Sequence, residues 1–550
     1  MKLFLKILLI ILIFTVNAHN GFSQKEARYW ALPGFFLDFY GGDTIPSLIT
    51  GSNNFTNFAN GTISDAYGNL LFYTNGATIW NRNNDTMKNG DSLFFYPGSV
   101  QGALIIPYPG DTNLYFLFTL RYCHIGCSYL YNNNIGLYYH LIDKRGNNGL
   151  GEVISKNNQL FPKVTSGKLT AVKHANNEAI WVISHKLYTD EFCAYLITKN
   201  GLDTSPVISR IGIPCDLSHP ETWNGQMKAS PDNKLLAVYS KRLGIEIFQF
   251  DNKTGKISNP IFIDFKKLIS SKFEIKGIEF SPEGRFLYLT VRDETTNRTC
   301  ILQFDLQDLS SVSIINSMEI IIKSKKEFEF LQSGIDGRIY CTTQSSYLAA
   351  ITSPSEKGKS CNFKDSFIYL KNWYALSFPD IMPSFFFKPA FHAKNTCLSD
   401  TTLFAITDTS HIDSVLWCFG DSLSTVNNNS TLKLTSHCFT DTGVYNVVVY
   451  VWHDKGEKDT LQREIRISFY PKADFLINDS IQCLNLNKFI CYDSSSIVSG
   501  SFTWEWDFGD KTKSYVQNPV HQYNKAGEYD LSLRILSDYG CEAKIEKKVK

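Results

Sequence analysis

The chain has 550 residues, of which 14% are aromatic, 19% are charged and 35 are glycine. This composition is typical of a globular protein with many short strands and turns, and it argues against a mainly helical or disordered chain. The formal net charge is +1 and no basic cluster stands out, which disfavours a nucleic-acid or anionic-membrane partner.

The first 24 residues have the features of a secretory signal peptide. Lys2 and Lys6 precede an apolar run at residues 7–16, and small and polar residues follow up to Gln24. The run is too short to anchor the chain in a membrane, and no later apolar run approaches the length of a span. We therefore expect a secreted or extracellular protein, attached to the outer cell surface or free, with no membrane span after the signal peptide is removed.

Residues 25–389 contain a repeated strand–turn–strand pattern. Each copy has a short strand, a polar turn with Asp, Asn or Gly, and an apolar alternating strand. The copies are ISDAYGNLLFYTNG (63–76), IIPYPGDTNLYFLFT (105–119), VKHANNEAIWVISH (172–185), MKASPDNKLLAVYS (227–240), IEFSPEGRFLYLT (278–290) and LQSGIDGRIYCTTQ (331–344). Their spacing is on the scale of a four-stranded propeller blade. Six copies, plus one blade assembled from the two ends of the segment, predict a β-propeller of about seven blades.

These repeats resemble the SPDG-type propellers of the TolB-like class. They are more similar still to the N-terminal regions of large secreted Bacteroidetes proteins that carry PKD modules. The matching residues are SDAYGNLLFYTNG with IWN (79–81), GKLTAVKH (167–174), the two Ser-Pro turns and IDGRIY (335–340), with YALSFP (374–379) at the closing position. The resemblance implies an extracellular β-propeller.

One short cysteine motif stands inside this segment, Cys123-His124-Ile125-Gly126-Cys127. It does not have the order of a haem-attachment motif, and no second cysteine pair lies at zinc-finger spacing. We interpret it as a local disulfide or two buried thiols rather than as a metal site.

Arginine placement argues against a sialidase-like enzyme. Such a site needs several arginines that converge on a carboxylate, whereas Arg210, Arg285, Arg292 and Arg338 are scattered. The sequence also lacks a Gly-x-Ser-x-Gly elbow, a Gly-rich phosphate loop and a His-Glu-x-x-His zinc helix.

The remaining polar candidates have simpler structural explanations. His174 and His185 flank a predicted blade strand, and His219 lies in a loop, where histidines are usually solvated or packed on aromatic rings. Asp232 and Glu283 recur at blade turns and are interpreted as turn formers. We therefore assign no catalytic, cofactor-binding or metal-ligating residue, and we expect a protein that is not an enzyme and needs no cofactor.

The C-terminal region contains a different alternating pattern. Apolar residues alternate from Phe502 to Phe508, Gly509-Asp510 forms a polar turn, and a second alternating strand follows from Tyr529. Two such strands in a unit of roughly 80 residues predict a small β-sandwich. The residues FTWEWDFGD, NPVHQY and AGEYDLSL resemble a PKD domain, an immunoglobulin-like module of many surface proteins.

A second copy of this module precedes it. VLWCFGD (415–421) corresponds to WEWDFGD, with Cys418 at the place of the motif's Asp, and HCFTDTGVY (437–445) corresponds to HQYNKAGEY. We predict tandem PKD domains, PKD-like at 390–470 and PKD at 471–550. Asp507 and Asp510 are interpreted as turn formers, because one or two carboxylates supply too few oxygens for calcium.

Thirteen cysteines in an exported chain favour some disulfides. The resemblance to PKD domains places the two ends of a module together, which makes Cys483–Cys541 the preferred pair. Cys397 then lacks an equivalent partner, and a Cys418–Cys438 bond stays open as an alternative.

These observations predict an all-β chain: a signal peptide (1–24), a β-propeller (25–389) and two immunoglobulin-like sandwiches. The favoured function is non-catalytic adhesion or recognition, with an extracellular glycan or surface protein as partner and the PKD modules as spacers. The alternatives are a propeller hydrolase acting on extracellular polysaccharide, or a structural part of a surface assembly.

Overall fold

The computed structural model describes most of the chain after the first 24 residues. The described residues are 25–40, 45–55, 60–96, 101–121, 135–162, 164–176, 178–215, 225–269, 272–371, 373–375, 377–383, 391–406, 412–424, 428–453 and 458–550. The expected signal peptide, the motif at Cys123–Cys127 and His219 lie outside these ranges. Strands account for 53% and helices for 5%, so the fold is all-β. The chain divides into two compact units. The first unit is Phe22–Lys388, and the second unit contains Pro389–Lys550.

Seven antiparallel sheets of sequence-adjacent strands form the described part of the first unit. The first two have three strands each: β1 (Tyr29–Leu32), β2 (Phe35–Asp38), β3 (Ser47–Thr50), and β4 (Gly61–Ser64), β5 (Leu70–Thr74), β6 (Ile79–Asn81). The third contains β7 (Ala103–Pro107), β8 (Leu114–Arg121), β9 (Gly136–Asp143) and β10 (Glu152–Pro162). The fourth contains β11 (Val164–Lys173), β12 (Ile180–Lys186), β13 (Glu191–Thr198), β14 (Gly201–Leu202) and β15 (Val207–Arg210).

The last three sheets of this unit have four strands each. They are β16 (Met227–Ala229), β17 (Leu235–Ser240), β18 (Gly244–Asp251), β19 (Lys256–Asp264); β20 (Phe273–Phe280), β21 (Phe286–Asp293), β22 (Arg298–Asp305), β23 (Glu319–Ser324); and β24 (Phe328–Ser333), β25 (Ile339–Thr343), β26 (Tyr347–Ile351), β27 (Phe363–Tyr369). The short helical segments are α1 (Gly146–Gly149), α2 (Phe265–Leu268), α3 (Ser311–Asn316) and the 3-10 turns Lys25–Ala27 and Gly358–Cys361.

The six sequence repeats form the first two strands of six of these sheets, as predicted. In the two Ser-Pro copies the serine hydroxyl fixes the turn, because Ser230 Oγ accepts from Leu235 N at 2.8 Å and Ser281 Oγ accepts from Phe286 N at 2.9 Å. A local hydrogen bond of this kind explains why so short a motif marks a strand–turn–strand unit.

The remaining sheet differs from the expectation that one blade joins the two ends of the segment. Its strands β1, β2 and β3 all come from residues 29–50. The C-terminal stretch instead reaches the next sheet, where Pro379 forms a parallel bridge with Asn60 and Asp380 N donates to Asn60 O at 2.6 Å.

Neighbouring sheets pack mainly through their first strands, and the third sheet contacts the fourth through its second strand, β8. Contacts join β1 to β4, β4 to β7, β8 to β11, β11 to β16, β16 to β20 and β20 to β24. The last sheet also contacts the first, since the Trp30 ring on β1 lies 5.6 Å from the Tyr340 ring on β25. Trp30 is fully buried in the apolar core that these sheets share.

The second unit contains two modules with the same strand order. The first module comprises β28 (Phe391–Lys394), β29 (Thr402–Ile406), β30 (Ile412–Cys418), β31 (Asn429–Ser430), β32 (Leu434–His437), β33 (Gly443–His453) and β34 (Lys458–Ile467). The second comprises β35 (Phe475–Ile477), β36 (Phe489–Asp493), β37 (Phe502–Asp507), β38 (Lys513–Ser514), β39 (Val520–His521), β40 (Tyr529–Ser537) and β41 (Glu542–Val549). The sheets are β28-β29-β32 with β31-β30-β33-β34, and β35-β36-β39 with β38-β37-β40-β41.

The tryptophan of each motif is a core anchor. Trp417 and Trp506 are fully buried. Each indole N–H donates to a backbone carbonyl across the module, to Leu432 O at 2.9 Å and to Val516 O at 3.0 Å. The buried ring therefore packs without leaving its polar atom unsatisfied.

The predicted Cys483–Cys541 disulfide is wrong, because Cys541 is bonded to Cys397 with a Cα–Cα distance of 5.8 Å. Cys483 is a free, exposed thiol. It follows Gln482, whose N donates to Lys550 O next to the far end of β41. Cys541 immediately precedes β41, so an eight-residue strand of roughly 27 Å separates the two positions.

The alternative Cys418–Cys438 bond is also absent, since both thiols are free. Cys418 ends β30 in the four-stranded sheet, whereas Cys438 follows β32 in the three-stranded sheet. The sandwich thus holds the two residues on different layers.

Candidate functional site

A buried polar cluster joins three neighbouring sheets of the first unit. Lys228 on β16, Glu279 on β20 and Gln332 on β24 are almost completely buried. Lys228 Nζ lies 3.1 Å from Glu279 Oε2 and donates to Gln332 Oε1 at 2.7 Å. Glu279 also accepts from the backbone N–H groups of Phe280 and Ser333. The opposite charges of Lys228 and Glu279 compensate each other, and the added hydrogen bonds help a protein to tolerate such a buried ion pair.

A repeated polar position in the sequence could have predicted this cluster. Lys228, Glu279 and Gln332 each stand two residues before the first turn residue of their repeats, Ser230, Ser281 and Gly334. In each repeat that residue accepts a backbone hydrogen bond from the residue three positions later. A polar residue at the same repeat position in three adjacent units indicates side chains that meet between first strands.

A second buried carboxyl lies close to this cluster. Asp380 Oδ2 accepts from Ala103 N at 3.4 Å. Burial raises the pKa of Asp380 to about 7, against the opposing effects of the Lys228 charge and of the backbone N–H groups of Ala103 and Gly102. A carboxyl with this pKa exchanges a proton near neutral pH, which is the property that general acids need.

His174, immediately after β11, and His185, on β12, have structural surroundings. His185 is buried with its ring edge-to-face on Phe192, at a centroid distance of 4.4 Å. Burial, and then the charge of Lys168, holds the pKa of His185 well below its usual value. His174 is partly exposed, and its Nε2 lies 3.1 Å from Lys253 O.

The four scattered arginines pair with four different carboxylates. The partners are Glu191 for Arg210, Asp305 for Arg285, Glu327 for Arg292 and Asp336 for Arg338. The structure therefore does not bring these arginines together at one carboxylate-binding site.

The two turn carboxylates behave differently. Asp232 Oδ1 accepts from Ser230 Oγ and Lys234 N, so it is a turn former as predicted. Glu283 instead accepts a hydrogen bond from Ser355, which follows β26 of the next sheet. Glu283 therefore links neighbouring sheets, a role that its position in a turn motif does not indicate.

The acidic turns of the modules contact histidines. Asp510 Oδ2 lies 2.9 Å from His521 Nε2, and in the first module Asp421 Oδ2 lies 3.2 Å from His437 Nε2. Partial burial raises the pKa of Asp510, but hydrogen bonds from Thr512 and the nearby His521 outweigh it, so this pKa lies below its usual value. Asp510 thus fixes the histidine as well as the turn.

An exposed aromatic pair marks one end of the last sheet in the first unit. Tyr347 begins β26 and Tyr369 ends β27, and the two residues face each other across the strands. Their ring centroids are 5.0 Å apart, and the side chains are 38% and 56% exposed. Tyr374, also exposed, follows a turn after β27 in which Trp373 N donates to Leu370 O. We call Tyr347 and Tyr369 the tyrosine pair.

Two structural features are absent from the described ranges. No group of three or more His, Cys, Asp and Glu side chains there is arranged to hold a metal ion. No helix within those ranges is long and apolar enough to cross a membrane.

Comparison with protein families identifies the last module. Residues 470–550 match the PKD domain family. Among curated proteins, the chain is 29% identical over 107 residues to collagenase ColA of Clostridium perfringens. That match covers 20% of this chain but only 9% of the collagenase.

Several solved structures are similar to parts of this chain or to most of its length. The PKD1 domain of the Vibrio cholerae metalloprotease PrtV is 27% identical, with 15% of this chain and 95% of that domain covered and a TM-score of 0.14. A putative 6-phosphogluconolactonase from Bacteroides fragilis is 10% identical, with coverage of 62% and 95% and a TM-score of 0.37. The extracellular domain of a putative one-component system from B. thetaiotaomicron is 11% identical, with coverage of 95% and 96% and a TM-score of 0.27.

Proposed function

We propose that this chain is a secreted or cell-surface binding protein that does not catalyse a reaction. Its proposed ligand is an extracellular glycan, and a surface protein is the alternative ligand. The observation that carries the proposal is the tyrosine pair, with Tyr347 and Tyr369 exposed and in ring contact. Tyrosine offers an apolar ring face and a polar hydroxyl on a side chain with few torsions, which suits recognition of sugars and proteins.

The proposed architecture places this surface on a propeller. Seven antiparallel sheets that pack in series, with the last against the first through Trp30 and Tyr340, support a seven-bladed β-propeller at 25–389. Residues 390–470 form a second PKD domain in this proposal, because their strand order and tryptophan anchor repeat those of 471–550. The two modules then act as a spacer for the binding domain.

A propeller hydrolase is the second candidate, and Asp380 is the observation that favours it. Its pKa of about 7 suits a general acid at neutral pH. A glycosidase of the usual kind also needs a second carboxylate, and the buried Glu279 is already engaged by Lys228 and two backbone N–H groups. This arrangement supports binding over turnover.

The experiment is a glycan array combined with a polysaccharide-turnover assay on the mature chain from Lys25 to Lys550. Binding without release of sugar is the expected result. Release of sugar by the wild-type chain that is lost in Asp380→Asn would overturn the proposal in favour of the hydrolase. Absence of both glycan binding and turnover would reject a glycan ligand and leave a protein partner to be tested on the same surface.

A further inference from the structure

The two C-terminal modules meet at a three-part joint. Cys397 follows β28 near the beginning of the first module, and it forms a parallel bridge with Ser468, immediately after β34. Leu398 N donates to Ser468 O at 2.8 Å, and Ser468 N donates to Thr396 O at 3.1 Å. The chain that leaves the first module is therefore tied to the chain that enters it.

The second module contributes the third part of this joint. Cys541 lies in the turn between β40 and β41, where its N donates to Ser537 Oγ, and its Sγ is 3.8 Å from Ser468 O. Both half-cystines of the Cys397–Cys541 disulfide are buried, at 8% and 0% exposure. Arg466 adds a contact, with its guanidinium 5.0 Å from the centre of the Tyr539 ring. The disulfide thus crosses from one module to the other.

We propose that this disulfide is a mechanical clamp that protects both modules from extension. Cys397 lies near the beginning of the first module and Cys541 near the end of the second, 144 residues later. Tension applied along the chain passes from Cys397 through the sulfur–sulfur bond to Cys541. Residues 398–540, which include most strands of both modules, carry none of that tension. A spacer built in this way keeps its length under load, whatever ligand the first unit binds.

The amount of chain that the clamp withholds is large enough to measure. An extended residue spans at most about 3.3–3.6 Å, so a separation of 144 residues corresponds to roughly 500 Å of contour length. Without the disulfide, only noncovalent contacts would oppose the release of this length.

Formation of the clamp is a thiol–disulfide exchange with a disulfide oxidant. The thiolate of Cys397 or Cys541 attacks the oxidant RSSR and releases one RSH, giving a mixed disulfide. The thiolate of the second cysteine then attacks the protein cysteine sulfur of this mixed disulfide and releases the second RSH. Two protein thiols are oxidised, one disulfide of the oxidant is reduced, and the two thiol protons end on the two RSH molecules.

Single-molecule force spectroscopy on the full mature chain, held at tags added before Lys25 and after Lys550, tests the proposal. The total contour length of the fully extended wild-type chain is expected to be about 500 Å shorter than that of Cys541→Ser. The matched control is Cys483→Ser, which removes an exposed free thiol of the same module and should leave the wild-type length unchanged. Equal lengths for wild type and Cys541→Ser would overturn the proposal.

A second measurement avoids dependence on the folding of the variant. The wild-type chain is held under constant tension while a soluble thiol reductant is added. Cleavage of the clamp should release about 500 Å of further contour length in total, in one step or in one step for each module. A fully extended chain that gains no such length after reduction would contradict the clamp. Peptide mapping without reductant should also give one linked pair that contains Cys397 and Cys541, and a different partner for either residue would reject the proposal.

Discussion

Lys228 is buried at the junction of three sheets, and two acceptors reach its ammonium group. Glu279 is fixed in turn by backbone N–H groups from its own strand and from β24. Removal of one member of such a pair leaves a buried charge without compensation, whereas apolar replacement of both members is tolerated much better. The charge compensation of this cluster therefore depends on residues from all three sheets.

The first prediction concerns this pair. Lys228→Met and Glu279→Gln should each destabilise the first unit by about 3–5 kcal/mol, and the double variant Lys228→Met/Glu279→Leu should lose less than either single variant. Denaturant unfolding of the full chain, followed through the transition of the first unit, measures this. As a control, Lys326→Met removes an exposed ion pair with Asp365 and should cost less than about 1 kcal/mol. Additive losses in the double variant would contradict the prediction.

Asp380 gives a prediction with a defined pH dependence. Its folded-state pKa of about 7 lies above the value of about 3.9 expected in the unfolded chain, so the folded chain binds the proton more tightly. The stability contributed by this group is present below pH 4 and is lost as the pH rises to 7. Asp380→Asn should therefore be more stable than wild type by about a few kcal/mol at pH 8 and show little difference at pH 4.

Melting temperatures of the two chains from pH 4 to pH 8 measure this effect. Asp365→Asn serves as the control, because Asp365 is exposed and its pKa is lowered by the hydrogen bond from Lys326. A constant difference between wild type and Asp380→Asn across the range would contradict the raised pKa.

At the scale of elements, the glycine in the Phe-Gly-Asp turn explains why the module motif is so specific. Gly420 and Gly509 have φ values of +72° and +77°, in the left-handed region. A Cβ atom would lie 2.6 Å from Asn446 O in the first module and 2.9 Å from Asp530 O in the second. Both the backbone conformation and the close approach of β33 or β40 therefore require glycine.

The corresponding prediction is that Gly420→Ala and Gly509→Ala each destabilise their own module by about 1–3 kcal/mol. Gly527→Ala is the matched control, since the nearest atom to its added Cβ would be 3.6 Å away in the Tyr529 side chain. Hydrogen exchange of β33 and β40 in the full chain separates the two modules. Equal effects of Gly509→Ala and Gly527→Ala would contradict the explanation.

Local patterns in the sequence predicted strands and turns better than they predicted which distant residues contact each other. The turn at Ser230 and the core role of Trp506 depend on neighbours a few residues away or on strand alternation, so they could be derived from the chain alone. The Cys397–Cys541 bond depends on how the β40–β41 turn packs against the joint between modules. The resemblance of a single module to a PKD domain could not predict this bond, because the bond joins two modules. The Tyr347–Tyr369 contact likewise depends on the register of two strands separated by a long loop.

For the whole molecule, the proposal assigns different tasks to the two compact units. The first unit carries the tyrosine pair and the buried polar cluster. The second contains the PKD domain at 470–550 and the disulfide that crosses its two modules. The proposed recognition by the first unit and the proposed resistance to extension by the second are separable properties, so we expect loss of ligand binding to leave the clamp intact and removal of the clamp to leave ligand binding unchanged.

We propose that the tyrosine pair binds a glycan ligand, and calorimetric titration of the glycan identified on the array into the chain from Lys25 to Lys550 tests this. Tyr369→Ala should weaken binding by about fivefold to thirtyfold, because truncation of a tyrosine that is central to a binding surface costs about 1–2 kcal/mol. Tyr67→Ala, which removes an 81% exposed tyrosine from the β4–β5 turn, should bind like wild type. Unchanged affinity in Tyr347→Ala and Tyr369→Ala would contradict the account.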